Sequence, residues 1–108
     1  MTIERGAVYT LAAKGAYTGK PRPAIVLQNT EVPFNSVVVV LTTTKSVDAP
    51  FFRIPIIPDA TNGLSVPTYA MSEKITAVPK ENLAKLLGHV DGATMRNIEE
   101  AVREVLGL

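Results

Sequence analysis

The sequence contains no cysteine and only one histidine, His89. Without cysteine the chain can form neither disulfides nor thiolate metal sites, and it fits a protein that works in a reducing compartment. With one histidine, a two-histidine acid–base pair within one chain is impossible. The longest apolar run, Val37 to Leu41, is far shorter than a membrane span, and no run of signal-peptide length follows Met1. We therefore expect a cytoplasmic protein that does not enter the membrane.

An excess of one charge is also missing, since 11 Lys and Arg residues balance 10 Asp and Glu residues and leave a net charge of +1. A protein that binds nucleic acid by bulk charge would be strongly basic. Any nucleic-acid site in this chain must therefore be built from locally clustered groups. No HExxH, P-loop, GxGxxG or GxSxG motif occurs, so the sequence predicts no metal, no cofactor and no serine-hydrolase elbow.

The length of 108 residues predicts one domain spanning 1–108, and short β-prone segments follow one another along it. Strands are predicted at Gly6–Ala13, Ala24–Leu27, Val37–Thr44, Phe51–Ile57 and Thr68–Val78. The run of valines from Val37 favours a strand that is buried on both faces. Pro55 places its own strand at a sheet edge, because proline cannot donate a ladder hydrogen bond.

One long amphipathic helix is predicted from Ala93 to Leu106, with Asp91 as its N-cap and Gly107 after its end. Its apolar face is formed by Met95, Ile98, Val102, Val105 and Leu106. A short helical turn is predicted to open at Pro79–Asn82. Several strands followed by one helix predict a mainly β protein, in which a curled antiparallel sheet or small barrel carries a C-terminal helix.

Basic and hydroxyl side chains gather at the ends of the predicted strands. Two prolines flank Arg22 and stiffen its backbone, which suits a guanidinium aimed at a phosphate. Thr42, Thr43 and Thr44 end the valine strand and precede Lys45, so a hydroxyl and an ammonium could reach the same phosphate. Surface arginines usually contribute little, so a solvated charge at a strand end is the commoner role for Arg22, and consecutive threonines are ordinary in strands.

Other candidates are more scattered along the chain. Lys20 precedes Arg22 by two positions in the loop that enters the second strand. Glu73 and Lys74 offer an acid or a group that recognises a base, or else an ordinary cross-strand charge pair. Tyr17 offers a ring for stacking on a nucleobase, although tyrosines more often lie buried or at a rim.

Taken together, these segments resemble the MazF/PemK family of toxin–antitoxin toxins. The resemblance is carried, in the family's order, by Arg5–Tyr9, Arg22–Asn29, Val38–Thr44, Gly63–Leu64 with Pro67–Thr68 and 75–83, and Gly88–Val90 with the ending Leu106–Leu108. Each motif alone has little specificity, but their succession spans nearly the whole chain.

The resemblance implies an SH3-like small barrel with a C-terminal helix, a homodimer, and metal-independent cleavage of single-stranded RNA that a cognate antitoxin neutralises. It further implies that Arg22 and Thr43 are the catalytic pair, with Thr42 replacing Thr43 if the register is shifted by one. The substrate-binding residues predicted from the residue types are Lys20, Thr42, Thr44, Lys45, Glu73, Lys74 and Tyr17. The Glu73–Lys74 pair departs from the family's acidic residue and glutamine, since it keeps the acid and replaces the amide.

Two other functions stay open on the residues alone. One is a non-enzymatic inhibitor of DNA gyrase of the related CcdB type, and the other is an inactive family member that binds an antitoxin. The combination of Arg22 with Thr43 favours the nuclease over the gyrase inhibitor. So does the ending Leu106-Gly107-Leu108, which replaces an aromatic-rich tail.

Overall fold

The computed structural model describes residues 2–12 and 22–108. Its elements are β1 (Ala7–Leu11), β2 (Pro23–Val26), β3 (Ser36–Thr43), β4 (Arg53–Ile56), β5 (Thr68–Pro79), a 3₁₀ turn (Lys80–Asn82), β6 (Leu83–His89) and α1 (Gly92–Leu106). The strands form one sheet in the order β4-β5-β3-β2-β1-β6, and each of these pairings is antiparallel. This architecture confirms the predicted antiparallel sheet with a C-terminal helix. Within the described residues, no helix is long and apolar enough to cross a membrane.

Hydrophobic side chains are buried on both faces of the sheet. The helix-side core joins α1 to the sheet and contains Val8, Ile25, Val40, Ile54, Ile56, Ala70, Met95, Ile98, Ala101 and Val102. The opposite core contains Ala7, Tyr9, Leu11, Ala24, Val26, Val37, Val39, Leu41, Met71 and Leu83. Strand β3 supplies both cores, because successive side chains of a strand point to opposite faces. The predicted burial of the valine strand on both faces is therefore confirmed.

The ends of α1 are those the sequence predicts. The carboxylate of Asp91 accepts a hydrogen bond of 2.7 Å from the backbone N–H of Thr94, and this bond lowers the pKa of Asp91. Gly107 takes a left-handed conformation (φ 72°) after the last turn. The predicted apolar face is wrong at its C-terminal end, since Val105 and Leu106 are exposed whereas Met95, Ile98 and Val102 are buried.

The segment from Leu83 to His89 was not predicted as a strand, yet it forms the edge strand β6 beside β1. The turn that contains Thr61 covers the outer side of β6, and the N–H of His89 donates to the carbonyl of Thr61 at 2.9 Å. Contact there is so close that a Cβ on Gly88 would lie 2.1 Å from the Thr61 carbonyl oxygen. At the other edge, β4 carries Pro55, which confirms its predicted edge position.

Candidate active site

The backbone at Arg22 is fixed by the two strands that flank it. Antiparallel pairing of β2 with β3 sets Ala24 opposite Leu41, and continuing this register by two residues brings Arg22 opposite Thr43. The carbonyl of Arg22 also accepts a hydrogen bond of 3.0 Å from the N–H of Leu11. The register therefore brings the two residues of the predicted catalytic pair side by side at one end of the sheet.

The neighbouring threonines are held in different ways. Thr42 is buried, and its hydroxyl donates a hydrogen bond of 2.6 Å to the carbonyl of Pro23, the residue after Arg22. Thr43 is half-buried, and its hydroxyl accepts a hydrogen bond of 3.2 Å from the backbone N–H of Lys45. Thr42 thus ties the β3 end to the backbone that carries the guanidinium, while Thr43 shapes the turn that follows its own strand.

A cavity of about 470 Å³ opens at this end of the sheet. It is lined by Thr10, Arg22, Pro23, Thr42, Thr43, Thr44, Gly63, Leu64, Ser65, Val66, Thr68 and Leu87. Among these described residues Arg22 carries the one charged side chain, and it is accompanied by several hydroxyls. A guanidinium surrounded by hydroxyl groups, with no carboxylate from the described lining, suits an anion such as a phosphate.

The strand ends that line the cavity contribute side chains from both faces of the sheet. Thr10 and Thr42 each lie two positions along their strands from Val8 and Val40 of the helix-side core. Because side chains alternate between faces, these two threonines face the same side as that core. Thr43 is one position out of phase and lies on the other face, which it shares with Arg22, two positions from Ala24 of the opposite core.

The wall opposite the strand ends comes from the turn region after β4. Asn62 is only 3% exposed, and its side-chain oxygen accepts a hydrogen bond of 3.0 Å from the N–H of Leu64. Its amide nitrogen donates to the carbonyl of Ile57 at 2.9 Å. The hydroxyl of buried Thr68 donates to the carbonyl of Val66 at 2.9 Å. These bonds hold both ends of the segment 64–66.

Gly63 allows this segment to lie directly against β6. Its φ of +69° is in the left-handed region, and a Cβ placed there would lie 2.1 Å from the carbonyl oxygen of Leu87. In the sequence, Asp59, Asn62 and Gly63 predict only a turn. A turn signal does not reveal which strand the turn packs against, and so it did not identify this wall.

Glu73 and Lys74 lie outside the cavity lining. The β3–β5 pairing shifts register here, so that the segment Met71–Lys74 stands opposite Leu41 alone. The carboxylate of Glu73 accepts hydrogen bonds of 3.1 and 3.0 Å from Nε of Arg53 on β4, and the pair forms a salt bridge. This contact lowers the pKa of Glu73. Of the two roles considered for Glu73, the structure therefore shows the cross-strand charge pair, and the partner is Arg53.

The remaining candidates fall in other places. Lys45 is exposed and does not line the cavity, although its N–H bonds to Thr43. Tyr17 and Lys20 lie outside the described residues. Nε2 of His89 lies 3.9 Å from a carboxylate oxygen of Glu4, away from the cavity. Residues 2–12 and 22–108 contain no group of three or more His, Cys, Asp or Glu residues that could hold a metal ion.

These features define a class: a small antiparallel sheet with a C-terminal helix, whose strand ends bring one guanidinium and several hydroxyls to a single cavity. Comparison with known proteins identifies the class further. Residues 4–106 match the family described as PemK-like, MazF-like toxin of type II toxin-antitoxin system. The chain therefore belongs to this toxin family, which confirms the resemblance drawn from its motifs.

Individual relatives match over nearly their full length. The chain is 40% identical to a probable endoribonuclease MazF of Mycolicibacterium smegmatis over 98% of both chains. A solved endoribonuclease from a mycobacterial species, in complex with its cognate antitoxin, is 28% identical with a TM-score of 0.80, over 98% of this chain and 96% of that chain. A MazE–MazF structure from Deinococcus radiodurans has a TM-score of 0.79 at 16% identity, over 100% and 99% of the two chains, and supports the fold alone.

Proposed function

We propose that this toxin is an endoribonuclease that cleaves single-stranded mRNA without a metal ion, in the cytoplasm, as a homodimer that a cognate antitoxin neutralises. The activity is supported by the 40% identical relative named as a probable endoribonuclease. The antitoxin is supported by the solved relative in complex with its own. The observation that carries the site assignment is that Arg22 and three consecutive threonines line one cavity.

The chemistry proposed for this cavity is an internal transesterification. The 2′-oxygen of the ribose attacks the adjacent phosphorus, and the bond from phosphorus to the 5′-oxygen breaks. The products are a 2′,3′-cyclic phosphate and a 5′-hydroxyl, so the proton lost by the 2′-hydroxyl is balanced by one gained at the 5′-oxygen. Negative charge gathers on the phosphoryl oxygens during the attack, and preorganised donors that meet this charge lower the barrier.

In this mechanism Arg22 binds the phosphoryl oxygens and helps to move protons, and a threonine hydroxyl donates a second hydrogen bond. The family resemblance assigns that hydroxyl to Thr43. The direction of the strand faces supports this assignment, because Arg22 and Thr43 share the face opposite the helix-side core, whereas Thr42 lies on the helix side. Because the carboxylate of Glu73 is engaged by Arg53 outside the cavity, we assign it no proton transfer.

The test is incubation of a long RNA with the protein in EDTA, followed by chemical identification of the product ends. We expect cleavage that leaves 5′-hydroxyl ends, since no step needs a metal ion. Arg22→Ala is expected to be folded and to cleave roughly 10²- to 10³-fold more slowly, the usual cost of losing one preorganised donor. Arg103→Ala on the exposed side of α1 is the matched control and should cleave like the wild type.

The outcomes separate the competing functions. Full activity of Arg22→Ala would remove Arg22 from the mechanism while leaving the nuclease assignment in place. Intact RNA together with arrested DNA gyrase would replace the nuclease with a gyrase inhibitor. Intact RNA with an active gyrase would identify an inactive family member.

A further inference from the structure

The cavity that holds Arg22 has two chemically different ends. One end carries the guanidinium and the threonine hydroxyls of the β1, β2 and β3 strand ends. The other end is formed by Leu64 and Val66, which follow the Asn62 turn, and by Leu87 of β6. We call these three residues the apolar wall. The two ends share one continuous space of about 470 Å³, which is within the range of roughly 300–1,000 Å³ that small-molecule sites occupy.

The apolar wall is fixed before any ligand arrives. Asn62 binds the backbone at Leu64, and Thr68 binds the carbonyl of Val66. The segment cannot slide along β6, because the backbone of Gly63 lies in direct contact with Leu87. Single exposed apolar side chains are common on any protein. Here, however, Val66 is 49% exposed on a segment fixed at both ends, beside two partly buried leucines, and it lines the same cavity as the cation Arg22.

We infer that the apolar wall receives the nucleobase that adjoins the phosphate bound at Arg22, and so contributes to the choice of cleavage site. This inference rests on the proposed ribonuclease function. A nucleotide joins a charged phosphate to a base with apolar faces, and a site that holds both therefore needs one polar and one apolar end. The arrangement of the cavity meets that requirement, since both ends open into the same space.

The composition of the wall also predicts how the base is held. Among the described residues that line the cavity there is no aromatic ring, so the contact is van der Waals packing of aliphatic groups on a base face. Ser65, between Leu64 and Val66, is exposed and lines the cavity, so it supplies a hydroxyl for a base edge. Aliphatic packing discriminates by shape and less strongly than a set of hydrogen bonds. The wall is therefore expected to bias the site of cleavage and not to dictate it alone.

The test compares Val66→Ser with Val105→Ser, the same change at a half-exposed valine on α1 that lines none of the cavities described. Cleavage positions are first mapped on a long RNA, and kcat and KM are then measured on a short RNA that contains one mapped site. Contacts made equally in the ground and transition states affect KM and leave kcat unchanged. Val66→Ser should raise KM roughly 3- to 10-fold, less than the 10- to 200-fold that a closed pocket loses with a methylene, with kcat within about 2-fold.

The long RNA gives the second measurement. Val66→Ser should change the relative cleavage of sites that differ in the base beside the scissile phosphate, whereas Val105→Ser should reproduce the wild-type pattern. An unchanged KM and an unchanged pattern in Val66→Ser, with active wild type, would overturn the inference and leave the proposed function standing. So would a fall in kcat at constant KM. Failure of the wild type and of Val105→Ser to cleave RNA would overturn the proposed function itself.

Discussion

Thr42 and Thr43 are chemically identical, and only their placement can decide which of them acts on RNA. Thr42 faces the helix side, lies opposite Ala70 of the helix-side core, and binds the carbonyl of Pro23. Thr43 lies on the opposite face together with Arg22, its cross-strand neighbour, and its hydroxyl accepts from the N–H of Lys45, so its own hydrogen can be donated to a phosphate. The Thr42 hydroxyl already donates to the backbone, and the placement therefore favours Thr43 as the residue that acts with Arg22.

Substitution by valine, which keeps the shape of threonine and removes the hydroxyl, can separate the two residues. We expect Thr43→Val to lower kcat by about 10²-fold, as the loss of a preorganised donor does. Thr42→Val should stay within about 10-fold of wild type, since the Thr42 hydroxyl bonds the backbone at Pro23 and not the substrate. Thr43→Ser, which retains the hydroxyl, should keep most of the activity.

The measurement is single-turnover cleavage of a short RNA, with thermal melting to verify that each variant is folded. Melting matters because the Thr42 hydroxyl is buried, and losing its bond costs about 1–3 kcal/mol where a polar partner is left unpaired. If Thr42→Val is folded and is the slower enzyme while Thr43→Val cleaves normally, the pairing of Arg22 with Thr43 is wrong.

The turn before β5 packs its backbone directly against the backbone of β6 beside the cavity. A methyl group on Gly88 would meet the Thr61 carbonyl at 2.1 Å, and backbone cannot move aside as a flexible side chain can. Gly88→Ala should therefore lower the free energy of unfolding by about 1–3 kcal/mol, the usual cost of overpacking. Urea unfolding monitored by circular dichroism, at one protein concentration for all variants, measures the change.

Gly92→Ala is the matched control for this prediction. The nearest neighbour of a Cβ at Gly92 is the Arg96 guanidinium at 3.4 Å, and the residue begins α1, where alanine is the better helix former. This variant should be as stable as wild type or more stable by up to about 1 kcal/mol. Equal stability of both variants would show that the turn yields to the added methyl and does not fix the wall.

The elements that sequence predicted correctly are those whose local pattern agrees with their tertiary role. The β-branched valines of β3 predict a strand, and Asp91 and Gly107 mark the two ends of helix α1. Strand β6 has no such local signal. Its segment Leu83-Ala84-Lys85-Leu86-Leu87 is rich in helix-forming residues and becomes a strand only through pairing with β1.

The residues of the candidate site likewise divide into those that the sequence predicts and those that it does not. Arg22 and the threonines were predicted because polar groups at strand ends form a recognisable pattern. Leu64, Val66 and Leu87 were not, because aliphatic residues in a turn and in an unrecognised strand carry no chemical signature. The sequence suggests a role for Glu73 together with its neighbour Lys74. In the structure Glu73 pairs with Arg53, which the antiparallel β4–β5 pairing brings beside it.

A net charge of +1 limits how the whole molecule can bind RNA. Bulk attraction is weak at this charge, so binding depends on the few cations that touch phosphates directly. Each phosphate neutralised on a single strand releases counterions and contributes about 0.7 to the slope of log affinity against log salt concentration. If Arg22 grips one phosphate, its removal changes that slope by one such step.

The affinity can be measured without cleavage by using an RNA with a mapped site in which the attacking 2′-hydroxyl is replaced by hydrogen. Titrations between about 50 and 200 mM salt should give a slope for Arg22→Ala that is shallower than wild type by about 0.7. Arg103→Ala, which removes the same charge from the exposed side of α1, should keep the wild-type slope while shifting the net charge equally. A slope that falls by the same amount in both variants would mean that Arg22 acts through the overall field of the protein and not through a phosphate in the cavity.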